Sequence, residues 1–214
     1  MSDEIVFYTN PQSRAQIVRW MLEEVGQPYR TEIVEYATTM KAAAYLTINP
    51  MGKVPALRHG ETVVTETAAI CAYLADAFPQ ANLAPPPGDR LRGPYYRWLF
   101  FAAGPVEAAI SNKALGFEVP KERERMIGYG NCATVLNVLE AAVSQSEFLA
   151  GTRFTAADLY VGSHLGFGMQ FGMIDKRAAF EAYVARLSAR PAAVRARQID
   201  DALIAEREQA KAVQ

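Results

Sequence analysis

The sequence predicts an α/β domain with the element order βαβ-ββα, followed by an all-helical domain. Short runs rich in β-branched and aromatic residues alternate with helical patterns up to about residue 80, and only helical patterns follow. Between the two regions, the segment APPPGD (84–89) contains three prolines and a glycine, which cannot continue a helix. We therefore predict an N-terminal domain over 1–82, a linker over 83–89 and a helical domain over 90–214.

The first domain begins with a predicted strand, Ile5–Tyr8, that leads through a short loop into a helix. Apolar residues after this loop recur with a 3.6-residue period, which is typical of a helix with one buried face. Ser13 and Gln16 have the spacing of a capping box, so we expect the helix to begin at Ser13. Gly26 is expected to end it, because glycine readily adopts the left-handed conformation found after helices.

The remaining elements follow in order along the chain. Further strands are predicted at Thr31–Glu35, Val54–Leu57 and Thr62–Val64. The last of these runs into a helix that begins near Glu66 and Thr67. Helical patterns then fill 90–115, 121–147, 155–174 and 176–189, and a charged amphipathic tail starts at residue 192. A second capping box at Thr155 and Asp158 predicts a structural role for Asp158.

The composition argues against several classes of protein. The chain has 22 basic and 23 acidic residues, so its formal charge of −1 lacks the basic excess of proteins that bind nucleic-acid phosphates. An apolar content of 50% and a charged content of 21% indicate a globular rather than a disordered protein. The longest uncharged run, between Asp158 and Asp175, is shorter than the roughly 20 residues of a membrane span. We expect no nucleic acid and no membrane as partners.

The cysteines and histidines favour neither disulfide nor metal chemistry. Cys71 and Cys132 are the two cysteines, and they do not form a Cys-x-x-Cys pair. Such a low cysteine content suits a reducing compartment, and Asp3 and Glu4 stand where an export signal has basic residues. With two histidines in the chain, we expect no metal site. The chain is therefore predicted to be cytoplasmic.

Three segments, in this order and spacing, resemble the cytosolic glutathione transferase family. They are NPMGKVPAL (49–57), the acidic–hydroxyl pair Glu66-Thr67 before AAICAYLAD, and FLAGTRFTAADL (148–159). The resemblance covers nearly the whole chain. It implies that residues 1–82 form a thioredoxin-like domain and that the helical domain contributes the electrophile site. It also implies a homodimeric detoxification enzyme with glutathione as its co-substrate.

The resemblance further implies which residues contact glutathione. The backbone of Val54, which precedes a candidate cis-proline at Pro55, pairs with the cysteinyl part of the peptide as an added strand. Glu66 and Thr67 receive the γ-glutamyl end at a helix N-terminus, where free N–H groups favour an anion. Lys53 is placed to meet the glycyl carboxylate or a nearby polar group of the ligand. Each position also has a purely structural alternative. Glu66 and Thr67 could only start a helix, Lys53 could be a solvated turn residue, and Pro55 could be required only by the fold.

Two residues are candidates for activating the thiol of glutathione. A thiol with a pKa near 8.5 is only a few per cent ionised at pH 7, so the protein must favour the thiolate. By the resemblance, Ser13 matches serine-type members of the family and Tyr8 matches the activating tyrosine of others. Asn10, between them, is a third possible donor. We favour Ser13 slightly, because chemistry of this type at the helix start is common in bacterial-looking members.

The electrophile is expected to contact apolar side chains of the helical domain, between the two domains. Phe100, Phe101 and Val106 are the leading candidates, and Met169 and Phe171 are further ones. The predicted function is a glutathione transferase whose thiolate attacks hydrophobic electrophiles without a metal. A glutathione-dependent peroxidase or disulfide reductase is one alternative at the same site. A non-enzymatic binding module on the same fold is the other.

Overall fold

The computed structural model describes residues 3–212, which divide into two compact units. One unit runs to Ala81 and also includes the chain from Arg190 onward, and the other comprises Asn82–Ala189. The division into domains at residues 83–89 stays a prediction. The last segment, however, belongs to the unit that contains the sheet and packs on the first helix, whereas the sequence pattern places it in the helical domain. The pattern could not show this, because a charged amphipathic helix has no local signal for the partner that covers it.

A four-stranded sheet forms the centre of the first unit. Its strands are β1 (Ile5–Thr9), β2 (Arg30–Ile33), β3 (Ala56–His59) and β4 (Thr62–Thr65). Their order is β2-β1-β3-β4, with β1 and β2 parallel and the other neighbours antiparallel. In β1, Val6 and Phe7 are almost completely buried, as expected of a central strand. The predicted fold class, a thioredoxin-like α/β unit followed by a helical unit, is confirmed.

Helices cover the sheet and make up the second unit. In chain order they are α1 (Gln16–Val25), α2 (Ala43–Leu46), α3 (Thr67–Ala77), α4 (Arg92–Phe101), α5 (Glu107–Ala114), α6 (Cys132–Gln145), α7 (Ala156–Gln170), α8 (Ala178–Ser188) and α9 (Pro191–Ala212). None of the helices within 3–212 is both long enough and apolar enough to cross a membrane.

Two of the predicted helices differ from the structure. The pattern over 121–147 is a 3-10 helix, Lys121–Met126, followed after a break by α6. Gly130 lies in this break at a φ of 67°, a conformation that ends a helix. The pattern over 90–115 is α4 and α5 joined by a π-helical turn, Ala102–Val106, that contains Pro105. Because proline has no N–H to donate, regular α-helical bonding is interrupted there.

The start of α1 also differs from the prediction. The helix begins at Gln16 instead of Ser13, and no side chain caps it. The Ser13 hydroxyl donates to the carbonyl of Asn10 at 2.6 Å and accepts from the N–H of Ala15 at 3.0 Å. The Gln16 amide donates to the carbonyl of Pro11 at 2.7 Å. The predicted capping box is therefore wrong, because both of its side chains bind the loop.

Two other helix ends agree with the prediction. Gly26, at a φ of 72°, ends α1. Thr155 and Asp158 form the predicted capping box of α7. The Asp158 carboxylate also accepts from the N–H of Leu149 at 2.7 Å and the hydroxyl of Tyr183 at 2.8 Å. Burial raises the pKa of Asp158 although these hydrogen bonds oppose the rise. Asp158 therefore has the predicted structural role at the start of α7, and it also joins this helix to Leu149 and Tyr183 through buried hydrogen bonds.

A buried ion pair joins α1 to α9. Arg19 and Asp200 are only 1% and 2% exposed, and Arg19 Nε donates to Asp200 Oδ1 at 2.7 Å. Arg19 Nη1 donates to the hydroxyls of Tyr29 and Thr31, each at 3.2 Å. The guanidinium also lies 5.1 Å from the ring centre of Phe7. Burial raises the pKa of Asp200 to about 6, and Arg19 opposes this rise.

Further ion pairs hold the first half of α9 along α1. Arg190 donates to both carboxylate oxygens of Glu24, at 2.6 and 2.8 Å. Arg195 donates to the carboxylate of Glu23 at 3.2 Å and to its backbone carbonyl at 3.1 Å. Bidentate arginine–carboxylate contacts fix direction as well as distance. The register of α9 on α1 is therefore set at several points along the helix.

Replacing Arg19 with Met should make the stability of the protein more sensitive to pH. The pKa of Asp200 in the folded chain exceeds its unfolded value of about 3.9, so its contribution to stability falls as the pH rises through the folded pKa. Because Arg19 lowers that pKa, its loss raises the pKa further and moves this fall to higher pH. We expect Arg19→Met to lose about 3–5 kcal/mol near pH 8 and less near pH 5, measured by urea unfolding.

Arg197→Met is the matched control for this variant. Arg197 is an exposed residue of the same helix and makes no hydrogen bond or ion pair within residues 3–212. Its replacement should leave the pH profile of the unfolding free energy parallel to that of the parent protein. A stability deficit of Arg19→Met that is the same at both pH values would contradict the proposed coupling to Asp200.

Candidate functional site

Three chain segments meet at one edge of the sheet in the first unit. The strand register places Tyr8, near the end of β1, opposite Ala56 at the start of β3. It also places Ala56 opposite Thr65 at the end of β4. Pro55 and Glu66 directly adjoin these paired positions. Side chains and backbone from the β1 loop, the turn before β3 and the start of α3 therefore lie at the same edge.

The turn before β3 presents an open stretch of backbone. The Val54-Pro55 peptide bond is cis, as the sequence predicts. Ladder pairing of β3 starts at Ala56, and the backbone of Val54 makes no hydrogen bond with the part of the chain that is described. The preceding carbonyl, of Lys53, accepts from the Tyr45 hydroxyl at 2.6 Å. Burial raises the pKa of Tyr45 to about 12, so this hydroxyl stays protonated as a donor. Val54 thus offers an unpaired edge on a fixed turn.

Two lysines lie at this turn, and only one of them was expected. The side chain of Lys53 is exposed and makes no hydrogen bond or ion pair with the described chain. The Lys41 ammonium donates to the carbonyl of Gly52 at 2.8 Å and to that of Met51 at 3.4 Å. Gly52 has a φ of 56°, and a Cβ there would lie 3.0 Å from the backbone carbonyl oxygen of Met40, so the position favours glycine. Sequence reasoning missed Lys41, because nothing in the local pattern links it to a turn ten residues later.

The start of α3 combines an unusual backbone with free donors. Glu66 has a φ of 66° and a ψ of 119°, which a residue other than glycine adopts only at a cost of about 1–3 kcal/mol. Its side chain does not cap the helix that begins at Thr67. The first N–H groups of α3 are therefore left without a capping side chain, and the helix dipole adds positive potential there. This arrangement suits a carboxylate.

The candidate thiol donors differ in how far they are already engaged. The Ser13 hydroxyl donates to the carbonyl of Asn10. The Tyr8 hydroxyl donates to no residue in the described range, and its ring lies 5.8 Å from that of Tyr45. Asn10 is buried, and its amide donates to the carbonyl of Val34 at 3.1 Å. Asn10 therefore ties the loop to the residue that follows β2, whereas Ser13 and Tyr8 are each partly exposed.

The residues predicted to contact the electrophile differ in how far they are exposed to solvent. Phe100 is 71% exposed and Phe101 is half-buried. Val106, in the π-helical turn, is 0% exposed and packs in the core, which disagrees with a place in a pocket wall. Phe171 is exposed and Met169 is half-buried. The sequence pattern assumed a regular helix through 102–106, so it could not identify the inward position of Val106.

Neither cysteine belongs to the sheet-edge site. Cys71 lies in the core, and burial raises its pKa to about 12, so its thiol stays protonated and enclosed. Cys132 opens α6 in the second unit, and burial raises its pKa as well. Any thiolate chemistry at the sheet edge therefore has to use a thiol supplied by a ligand.

Comparisons with known proteins identify the family. Models of the glutathione S-transferase N-terminal and C-terminal domains match residues 13–77 and 97–191. A glutathione S-transferase of Xanthomonas campestris pv. campestris is 27% identical over 188 residues, which cover 85% of this chain and 92% of that protein. One from Arabidopsis thaliana is 34% identical over 165 residues, which cover 68% and 71%. A solved sphingomonad glutathione S-transferase complexed with glutathione is 28% identical with a TM-score of 0.74, over 92% of this chain and 98% of that one.

The relatives, the solved structure and the fold agree with one another. The matches extend over both units, and Val54, Glu66 and Thr67 lie within the N-terminal match, whereas Tyr8 precedes it. The prediction of an enzyme on this fold is confirmed, and a non-enzymatic module is not supported. The chain therefore belongs to the glutathione S-transferase family and is a transferase.

Proposed function

We propose that this chain binds glutathione at the sheet edge, ionises its thiol and directs the thiolate at a hydrophobic electrophile. One observation carries the proposal: the strand register aligns Tyr8, Ala56 and Thr65, and Val54 and Glu66 lie within two residues of these positions at the same edge. The relative solved with glutathione supports the choice of this peptide as the ligand. In the reaction, the thiol loses its proton and the sulfur forms a bond to carbon, by addition or by displacing a leaving group.

The cysteinyl and glycyl parts of glutathione would bind at the turn before β3. The free N–H and carbonyl of Val54 can pair with the peptide backbone as an added strand. The exposed ammonium of Lys53 is available for the glycyl carboxylate. Lys41, held on the carbonyl of Gly52, adds positive charge beside it. A chain with a net charge of −1 can thus bind an anionic peptide through local positive charges.

The γ-glutamyl end would bind at the start of α3. Its carboxylate matches the uncapped N–H groups at Thr67, and its ammonium matches the exposed carboxylate of Glu66. The positive φ of Glu66 supports a binding role, because residues with strained backbone conformations cluster at active sites and ligand-binding sites.

We propose Ser13 as the hydroxyl that stabilises the thiolate, with Tyr8 as the alternative. Ser13 lies in the turn that precedes α1, where helix N–H groups favour a negative charge. It must exchange its hydrogen bond to Asn10 for one to sulfur. The hydroxyl of Tyr8 has no hydrogen bond within residues 3–212 to give up, which supports Tyr8 as the alternative donor.

The electrophile is proposed to contact the exposed aromatic face of α4. The rings of Tyr96 and Phe100 lie 6.4 Å apart on this helix and are both exposed. Large exposed aromatic groups are typical of surfaces that receive an apolar ligand or partner. Phe101, on the same helix, is proposed to contact the electrophile as well. The homodimer that the resemblance implies and the cytoplasmic location predicted from the sequence are also part of this proposal.

Removing the proposed γ-glutamyl contacts should weaken glutathione binding. We expect Thr67→Val and Glu66→Gln each to raise the dissociation constant, measured by titration calorimetry, by a factor of about ten, because each loses a hydrogen bond to a charged group. Glu61→Gln, at the exposed turn between β3 and β4, should bind like the parent protein. Absence of saturable binding by the parent protein would refute the proposed function.

The thiol donor can be identified from the ultraviolet absorbance of the bound thiolate. We expect Ser13→Ala to reduce this absorbance, at saturating glutathione and neutral pH, more than Tyr8→Phe does. The physical reason is that loss of the donor returns the thiol pKa toward its ordinary value near 8.5. The two variants control for each other, and the reverse order would assign the role to Tyr8.

A further inference from the structure

We infer that Arg207 of α9 is a positioning residue for the glutathione site. Its ion pair with Glu35 anchors the segment 35–41, and Lys41 at the end of this segment holds the turn that leads to Val54. The inference rests on the proposed binding of glutathione at the sheet edge. It gives the C-terminal helix a role in ligand affinity.

The ion pair is the first step in this chain of contacts. Arg207 Nη2 donates to Glu35 Oε2, which joins positions 172 residues apart in the chain. The two side chains are 22% and 41% exposed, so water only partly screens the pair. The second terminal nitrogen of Arg207, Nη1, is enclosed and has no hydrogen-bond partner in residues 3–212. Glu35 is therefore the anion that offsets this guanidinium.

The second step is the compact loop that folds around Glu35. The backbone N–H of Glu35 donates to Thr39 Oγ1 at 2.8 Å, and its carbonyl accepts from the N–H of Met40 at 3.0 Å. Met40 is buried in a cluster with Val34, Tyr45 and Ala56, against which Tyr8 and Val54 also pack. A shift of Glu35 would therefore also shift Met40 and the buried cluster that packs against Tyr8 and Val54.

The third step connects this loop to the peptide-binding turn. Lys41 follows Met40 and donates to the carbonyls of Gly52 and Met51. Gly52 lies two residues before Val54, whose free backbone is proposed to pair with glutathione. If the loop shifts, the Lys41 ammonium withdraws from the turn. The unpaired backbone then samples more conformations, and binding has to order it at an entropic cost.

Arg207 is not needed to hold α9 in place. The helix is already fixed on α1 by Arg190, Arg195 and Asp200. Arg207 lies seven residues beyond Asp200, about 10 Å along the helix. Its loss should therefore act locally, on the loop, and should leave the global stability close to that of the parent protein.

The test is Arg207→Gln, with Arg197→Gln as the matched control on the same helix. We expect the dissociation constant and the KM for glutathione to rise about three- to five-fold in Arg207→Gln, as for a half-exposed ion pair, with kcat changed less than about two-fold. Amide hydrogen exchange without ligand should accelerate in residues 35–41 and 51–53 and stay unchanged in α1. Arg197→Gln should match the parent in every measurement.

A charge reversal provides the second readout. Arg207→Glu alone should weaken binding further, because two carboxylates then face each other, and adding Glu35→Arg should restore affinity toward the parent value. Parent-like binding and exchange in Arg207→Gln, in a parent protein that binds glutathione, would overturn this inference and leave the proposed function intact. A parent protein that does not bind glutathione would overturn both. Failure of the reversed pair to restore affinity would also contradict the inference.

Discussion

The buried contact between Arg19 and Asp200 is the constraint on which the first unit depends. Charges withdrawn from water are costly unless partners surround them, and here Asp200, Tyr29 and Thr31 accept from Nε and Nη1 of Arg19, whereas its buried Nη2 has no partner in residues 3–212. The contact joins α1, which follows the candidate thiol-activating loop, to α9, which carries Arg207. The two helices that adjoin the thiol-activating loop and carry Arg207 are therefore joined at one buried point, although the two charges lie 181 residues apart in the chain.

The sheet and the site edge could be predicted because their signals are local. Runs of β-branched residues, Gly26 after α1 and the pair Glu66-Thr67 each specify backbone conformation within a few residues. The cis bond at Val54-Pro55 and the capping box at Asp158 followed from equally short patterns. Once strands and helix starts are placed, the order of the sheet brings to one edge the residues that the resemblance names for glutathione binding, and their roles stay a proposal.

The remaining features depend on contacts that no local pattern encodes. Ser13 had the spacing for a capping box, but the choice between the helix and the loop depends on where the loop carbonyls lie. Lys41 and Arg207 bind partners that are distant in sequence. The sequence alone therefore does not distinguish them from ordinary solvent-exposed charged residues. Val106 is fully buried within a π-helical turn, where the sequence pattern predicts a regular helix. The docking of α9 on the sheet unit is of the same kind, since ion pairs with α1 determine it.

The central claim is that the sheet edge converts glutathione into a thiolate that attacks carbon electrophiles. The most direct measurement compares initial rates for a chloronitrobenzene, cumene hydroperoxide and hydroxyethyl disulfide at fixed glutathione, using the unmodified protein. We expect saturable conjugation of the chloronitrobenzene above the uncatalysed rate, with slower turnover of the other two. Catalysed turnover of the peroxide or the disulfide without any conjugation would contradict the claim and assign the site to redox chemistry.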